Sequence, residues 1–142
     1  MSARRQVGEA LDEGFSAALL LTGSIGGAEQ AVENAIDRLG PDLSAEALLA
    51  ETARSALRQR KCQDDLPAIL PLELQALSLL SPADRNCFIL RVLMGFDREA
   101  CSEILKLPQD DVEEALHRSL LDLPMAVESI RRRRPVNRPW LS

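Results

Sequence analysis

Ser81 to Leu123 reads SPADRNCFILRVLMGFDREACSEILKLPQDDVEEALHRSLLDL. Ser81-Pro82 is a helix start, a hydroxyl cap followed by a proline at the first helical position, where no amide hydrogen is needed. The helix that begins there runs to about Met94, and Gly95-Phe96 turns the chain. Asp97 caps a short helix, Arg98 to Leu105. Lys106-Leu107-Pro108 makes a second turn, and a last helix spans roughly Gln109 to Leu121. Its apolar residues Val112, Leu116, Leu120 and Leu123 recur at helical spacing and are expected to face inward. Three short helices separated by a glycine turn and a proline turn have the shape of a helix-turn-helix.

The same pattern extends toward the N-terminus. From Gly8 to Leu21, Ala10, Leu11, Phe15, Ala18, Leu19 and Leu21 mark a helix, and Thr22 to Gly27, with three glycines, reads as a turn. A second helix, about Ala28 to Leu39, carries Ala28, Ala31, Val32, Ala35, Ile36 and Leu39 on one face and stops at Gly40-Pro41-Asp42. Ser44 starts a third, running to about Lys61, with Leu48, Leu49, Thr52, Ala53, Ala56 and Leu57 as its stripe. Its basic end suits the negative pole of the helix dipole and needs no ligand to explain it. The prolines and aspartates of 63–71 read as a linker, and Leu72 to Leu80 as one more helix. No alternating Val/Ile/Thr-rich segment occurs. The expected fold is all-α in two small helical groups, residues 1–62 and 72–123, the second a helix-turn-helix domain, with 124–142 as a basic C-terminal tail.

Composition agrees. Of 142 residues, 46% are hydrophobic and 27% charged, an ordinary globular balance. Aromatics are limited to three Phe and one Trp, so the core must be Leu, Ala, Ile and Val. No apolar run approaches the roughly 18 residues that span a bilayer, and no signal-peptide pattern follows Arg4 and Arg5. A cytoplasmic protein without membrane contact is expected. Cys62, Cys87 and Cys101 are odd in number, far apart and without a CxxC pair, and read as small buried hydrophobes. With His117 as the single histidine, there is no metal-spaced ligand set. Nor is there a nucleophile–base pair or phosphate loop. No cofactor, metal or enzymatic activity is expected.

The net charge of −5 is uneven. Residues 63–130 hold five basic and thirteen acidic side chains, whereas 131–142 hold five arginines and no acid. Arg131, Arg132, Arg133 and Arg134 are either a solvated end or an electrostatic arm for nucleic acid or an acidic protein surface.

The stretch from Leu80 resembles region four of sigma-70 family factors, especially the extracytoplasmic-function type. The carriers are Leu80-Ser81-Pro82-Ala83-Asp84-Arg85 before Phe88, the apolar run Ile89-Leu90-Arg91, the Gly95-Phe96 turn, and Glu99-Ala100-Cys101-Ser102-Glu103-Ile104-Leu105. Val112 and Leu116-His117-Arg118 follow in ungapped register. The first group resembles a shortened region two. Leu21-Thr22-Gly23-Ser24 and Ala28 to Ala35 resemble the element that docks on the RNA polymerase clamp. Leu48 to Ser55 is similar to the helix that opens the promoter −10 element. The resemblance implies a partner in core RNA polymerase, contacted through Glu29, Gln30, Glu33 and Asn34. It implies promoter DNA contacted through Arg98, Gln109, Glu113, Glu114, His117 and Arg118.

Two features depart from the family. Leu48 stands where the family stacks aromatics on unpaired bases, a contact worth about 1–3 kcal/mol per base. Glu113, Glu114 and Ala115 stand where it offers Lys or Arg to the phosphates. Arg98, His117 and Arg118 are then the side chains with chemistry suited to DNA. A sigma factor that reads a promoter and a sigma mimic that holds polymerase or an anti-sigma factor without reading DNA both fit this sequence.

Overall fold

The computed structural model describes residues 6–59 and 72–133. The first group is three helices, α1 (Val7–Thr22), α2 (Ile25–Leu39) and α3 (Ala45–Arg58), each packed on the other two. Gly23, in the left-handed region at φ 78°, closes α1. Ser24 then accepts from the Gly27 amide at 2.9 Å, so α2 starts at Ile25 and takes in Gly26 and Gly27, which the glycine content had placed in the turn. Ser44 caps α3 in the same way, accepting from Ala47. Small residues line these contacts: Ala10, Gly14, Ala17 and Ala18 on α1, Ala28, Ala31 and Ala35 on α2. They let the helices approach closely, and Leu48 and Leu49 of α3 fill the centre. Ile36, expected inward, lies at the margin of the α2 stripe and is exposed.

The second group holds α4 (Leu72–Ala76) with a 3₁₀ turn, Leu77–Leu79, after it, then α5 (Pro82–Phe88), α6 (Arg98–Leu105) and α7 (Gln109–Arg133). Ser81 caps α5, with Pro82 in the first turn. The helix expected to reach Met94 unbroken changes pitch midway, becoming π-helical over Ile89–Leu93. The Met94 amide donates to Ile89 O at 2.9 Å. At α-helical pitch Met94 would point well away from Ile89; the wider turn returns it over Ile89, and both are buried. α7 packs against α4, α5 and α6. It does not stop near Leu121 but continues through Pro124 to Arg133, so the segment read as a tail from residue 124 begins as helix. Ala126, beyond the proline, is still buried. Leu120, expected inward, is 52% exposed.

The two groups share one hydrophobic core. α1 rests on the π-helical turn and α3 on α6, where Arg54 reaches Glu103 at 3.2 Å. The architecture is all-α, and no described helix is long and apolar enough to cross a membrane. The linker read at 63–71 lies outside the described residues.

Candidate nucleic-acid interface

The α6–α7 unit is built by local hydrogen bonds. Asp97 accepts from the Ala100 amide at 2.7 Å and sets the start of α6. Lys106, at φ 57°, is the one described non-glycine residue in the left-handed region; it ends α6, its amide donating to Ser102 O. The Leu107 amide also donates to Ser102 O, at 3.1 Å, and the Ser102 hydroxyl donates back to Leu107 O. This closure fixes the three-residue turn before α7 without glycine.

The six expected DNA-facing residues fall into two kinds. Arg98, Gln109 and His117 are exposed, and their side chains form no hydrogen bond or ion pair with described residues. Glu113, Glu114 and Arg118 are engaged within the fold. Arg118 lays its guanidinium against Asp84 of α5, Nη2 to Oδ1 at 3.0 Å and Nε to Oδ1 at 3.2 Å, and also meets Glu114 at 3.2 Å. The Asp84 side chain is only 6% exposed, whereas Arg118 is 49% exposed. The hydrogen bonds that Arg118 donates to Asp84, and then the charge of Asp84, raise the Arg118 pKa. Arg91, on the π-helical turn, reaches Glu113 at 3.4 Å. Two arginines beside the expected groove face are therefore neutralised internally, while Asp110, Asp111 and Glu114 stay exposed.

The other expected contacts do not join this unit. Glu29, Gln30, Glu33 and Asn34 form an exposed polar strip on α2, in the first group. Gln30 Nε2 donates to Asn34 Oδ1 at 2.9 Å, and Asn34 Nδ2 to Ser55 Oγ at 3.2 Å. Leu48 and Leu49, expected at the promoter-opening position, are buried. Glu51 of the same helix gathers Arg38, Arg54 and Arg58 within 3.8 Å. Arg131, Arg132 and Arg133 lie in the last turn of α7, roughly 30 Å along it from Gln109. Arg131 meets Glu128 at 3.6 Å, and Arg134 lies outside the described residues.

Sequence reading missed the partnership of Asp84 with Arg118, 34 residues apart, for which no local pattern exists. It also missed Arg85, a buried arginine whose Nε and Nη2 find no partner among the described residues and whose pKa is lowered by desolvation. Cys87 and Cys101 are buried, as expected, and burial pushes both thiols up to about 11. Cys62 lies outside the described residues. No family model matches the chain, and no curated protein or solved structure matches it.

Proposed function

We propose that this is a sigma-factor-like protein of bacterial transcription initiation whose α6–α7 unit docks on protein, RNA polymerase or an anti-sigma factor, rather than reading promoter DNA. The resemblance of Leu80 to Arg118 to region four motivates the first half. One observation carries the second: Arg118, the residue best suited to a phosphate or a guanine edge, is already held by the buried carboxylate of Asp84. The rest of that face offers Asp110, Asp111 and Glu114. Duplex binding draws its non-specific strength from cations that displace counterions, and an acidic helix reverses that term. The exposed strip of Glu29, Gln30, Glu33 and Asn34 supplies a separate polymerase-facing surface. The role requires no cofactor and no catalysis.

Promoter reading is the competing function, favoured by Arg98, which is exposed and unpaired among the described residues, and by the arginines that end α7. Fluorescence anisotropy of the full chain separates them. Titration with purified core polymerase should saturate, and Glu29→Lys/Glu33→Lys should weaken it about tenfold, the range of a disrupted charged contact. Promoter duplex should bind no better than random duplex at any salt concentration. Sequence-specific duplex binding that steepens as salt falls would replace the docking reading with promoter recognition. Binding to neither would remove both polymerase docking and promoter reading and leave only an anti-sigma factor as the partner.

A further inference from the structure

α7 carries a face that nothing in the described fold covers. Leu120, Leu121 and Met125 are 52%, 61% and 72% exposed, and Pro124 lies between them. At 100° per residue, these four share one stripe with His117 and Glu128, opposite the buried Val112, Ala115, Ser119 and Ala126. An open groove lined by Pro124, Met125, Glu128, Ser129 and Arg132 runs along the stripe. Three large apolar side chains on one exposed helical face are a docking surface rather than scattered exposure.

The charges flanking this stripe specify what covers it. Toward the N-terminus they are Glu113 and Glu114; toward the C-terminus, Arg131 and Arg132. The two signs sit at nearly equal distances on either side of Asp122–Leu123. We infer that the surface binds a second copy of this chain, α7 against α7, antiparallel and crossing between Asp122 and Leu123. In an antiparallel helix pair, flanks of the same side meet. On one flank Glu114 then faces Arg132 of the other copy, and on the opposite flank Glu113 faces Arg131. Between them Leu121 meets Met125, Leu120 meets Pro124, and His117 lies opposite Glu128. A parallel pair would instead set Glu113 and Glu114 against themselves and the arginines against themselves. The pairing is isologous, each contact occurring twice about one two-fold axis, so it closes as a dimer and does not extend. Glu114, Arg131 and Glu128 are each about half exposed or more, so their intrahelical pairs with Arg118 and within the last turns leave them accessible to a partner, whereas Glu113, 40% exposed and held by Arg91, would share its carboxylate between Arg91 and the partner.

This association is argued from α7 alone, and it competes with the docking proposed for the α6–α7 unit. It does occupy Glu113, Glu114 and His117, and so excludes any other ligand from that face. The test is sedimentation velocity on the full chain from micromolar to millimolar concentration. A reversible monomer–dimer equilibrium that weakens with salt is expected. Leu121→Glu should abolish it, with unchanged circular dichroism because Leu121 is already exposed. Glu114→Arg and Arg132→Glu should each weaken it about tenfold or more by setting like charges face to face. Mixed together, these two variants should recover the wild-type affinity. In the mixed dimer the introduced arginine faces the introduced glutamate, and the unaltered Glu114 of one copy faces the unaltered Arg132 of the other. A monomer at every concentration overturns the inference and leaves the stripe to a different protein. A dimer that survives Leu121→Glu places the interface elsewhere, and weakened variants that fail to rescue each other rule out the antiparallel pairing.

Discussion

Gly14 and Gly27 should respond in opposite ways to alanine. A Cβ at Gly14, mid-α1, would meet Thr52 and Leu49 of α3 at 3.6–3.7 Å, ordinary van der Waals contact. Gly14→Ala should therefore gain most of the helix-propensity difference, about 0.5–1 kcal/mol. At Gly27 the added carbon would lie 2.8 Å from Ser24 Oγ and 2.9 Å from Thr22, the groups that cap α2 and close α1. Gly27→Ala should cost about 1–3 kcal/mol through overpacking and loss of the cap, and urea midpoints of the two variants decide the sign of each. Asp84 and Arg118 form an unequal pair, because the carboxylate is buried and the guanidinium is half in water. Arg118→Ala strands the buried carboxylate and should lower the urea midpoint, whereas Asp84→Asn/Arg118→Ala should recover part of the loss. A double-mutant cycle measures the difference. If Arg118→Ala left stability unchanged, the residue would be free for a ligand after all. None of this coupling is legible locally, since it joins α5 to α7.

Helices are where reading the sequence succeeded best. Ser81-Pro82, Asp97, Gly95 and Pro108 each state a start or a turn, and the apolar periodicity supplies the rest. Boundaries failed where a cap outweighed composition, as at Ser24, or where packing carried a helix past a breaker, as at Pro124. Inward positions failed at stripe margins, Ile36 and Leu120. The acidity of the α6–α7 face was plain in the sequence, but the internal neutralisation of Arg91 and Arg118 was not. Pro124 itself lacks the amide that would donate to Leu120 O, and it is exposed, so the helix gains nothing from its ring. Pro124→Ala should stabilise α7 by about 1–3 kcal/mol, raising the thermal midpoint in dilute solution, where no second copy contributes. A lowered midpoint would mean that the proline packs against something the helix needs.

Alkaline pH probes the molecule as a whole, because it has no tyrosine and only two lysines, Lys61 and Lys106. Cys87 and Cys101 lie in the shared core with thiols raised from about 9 to about 11. A raised folded pKa means the native state holds its protons longer. Their contribution is thus intact below pH 9 and is lost as pH climbs toward 11. Urea unfolding should show stability flat through neutrality and falling by on the order of 2–5 kcal/mol across that window, as a single transition. Cys87→Ala/Cys101→Ala should flatten the slope whatever it does to the baseline. The widened turn at Ile89–Leu93 has a different bearing. It holds one residue more than a regular helix would need to bring Met94 back over the core. Descent with modification has room to shorten it: a single codon lost from this stretch would close an ordinary α-helical turn and still leave Met94 over Ile89, whereas a codon gained would carry Met94 and everything beyond it out of register.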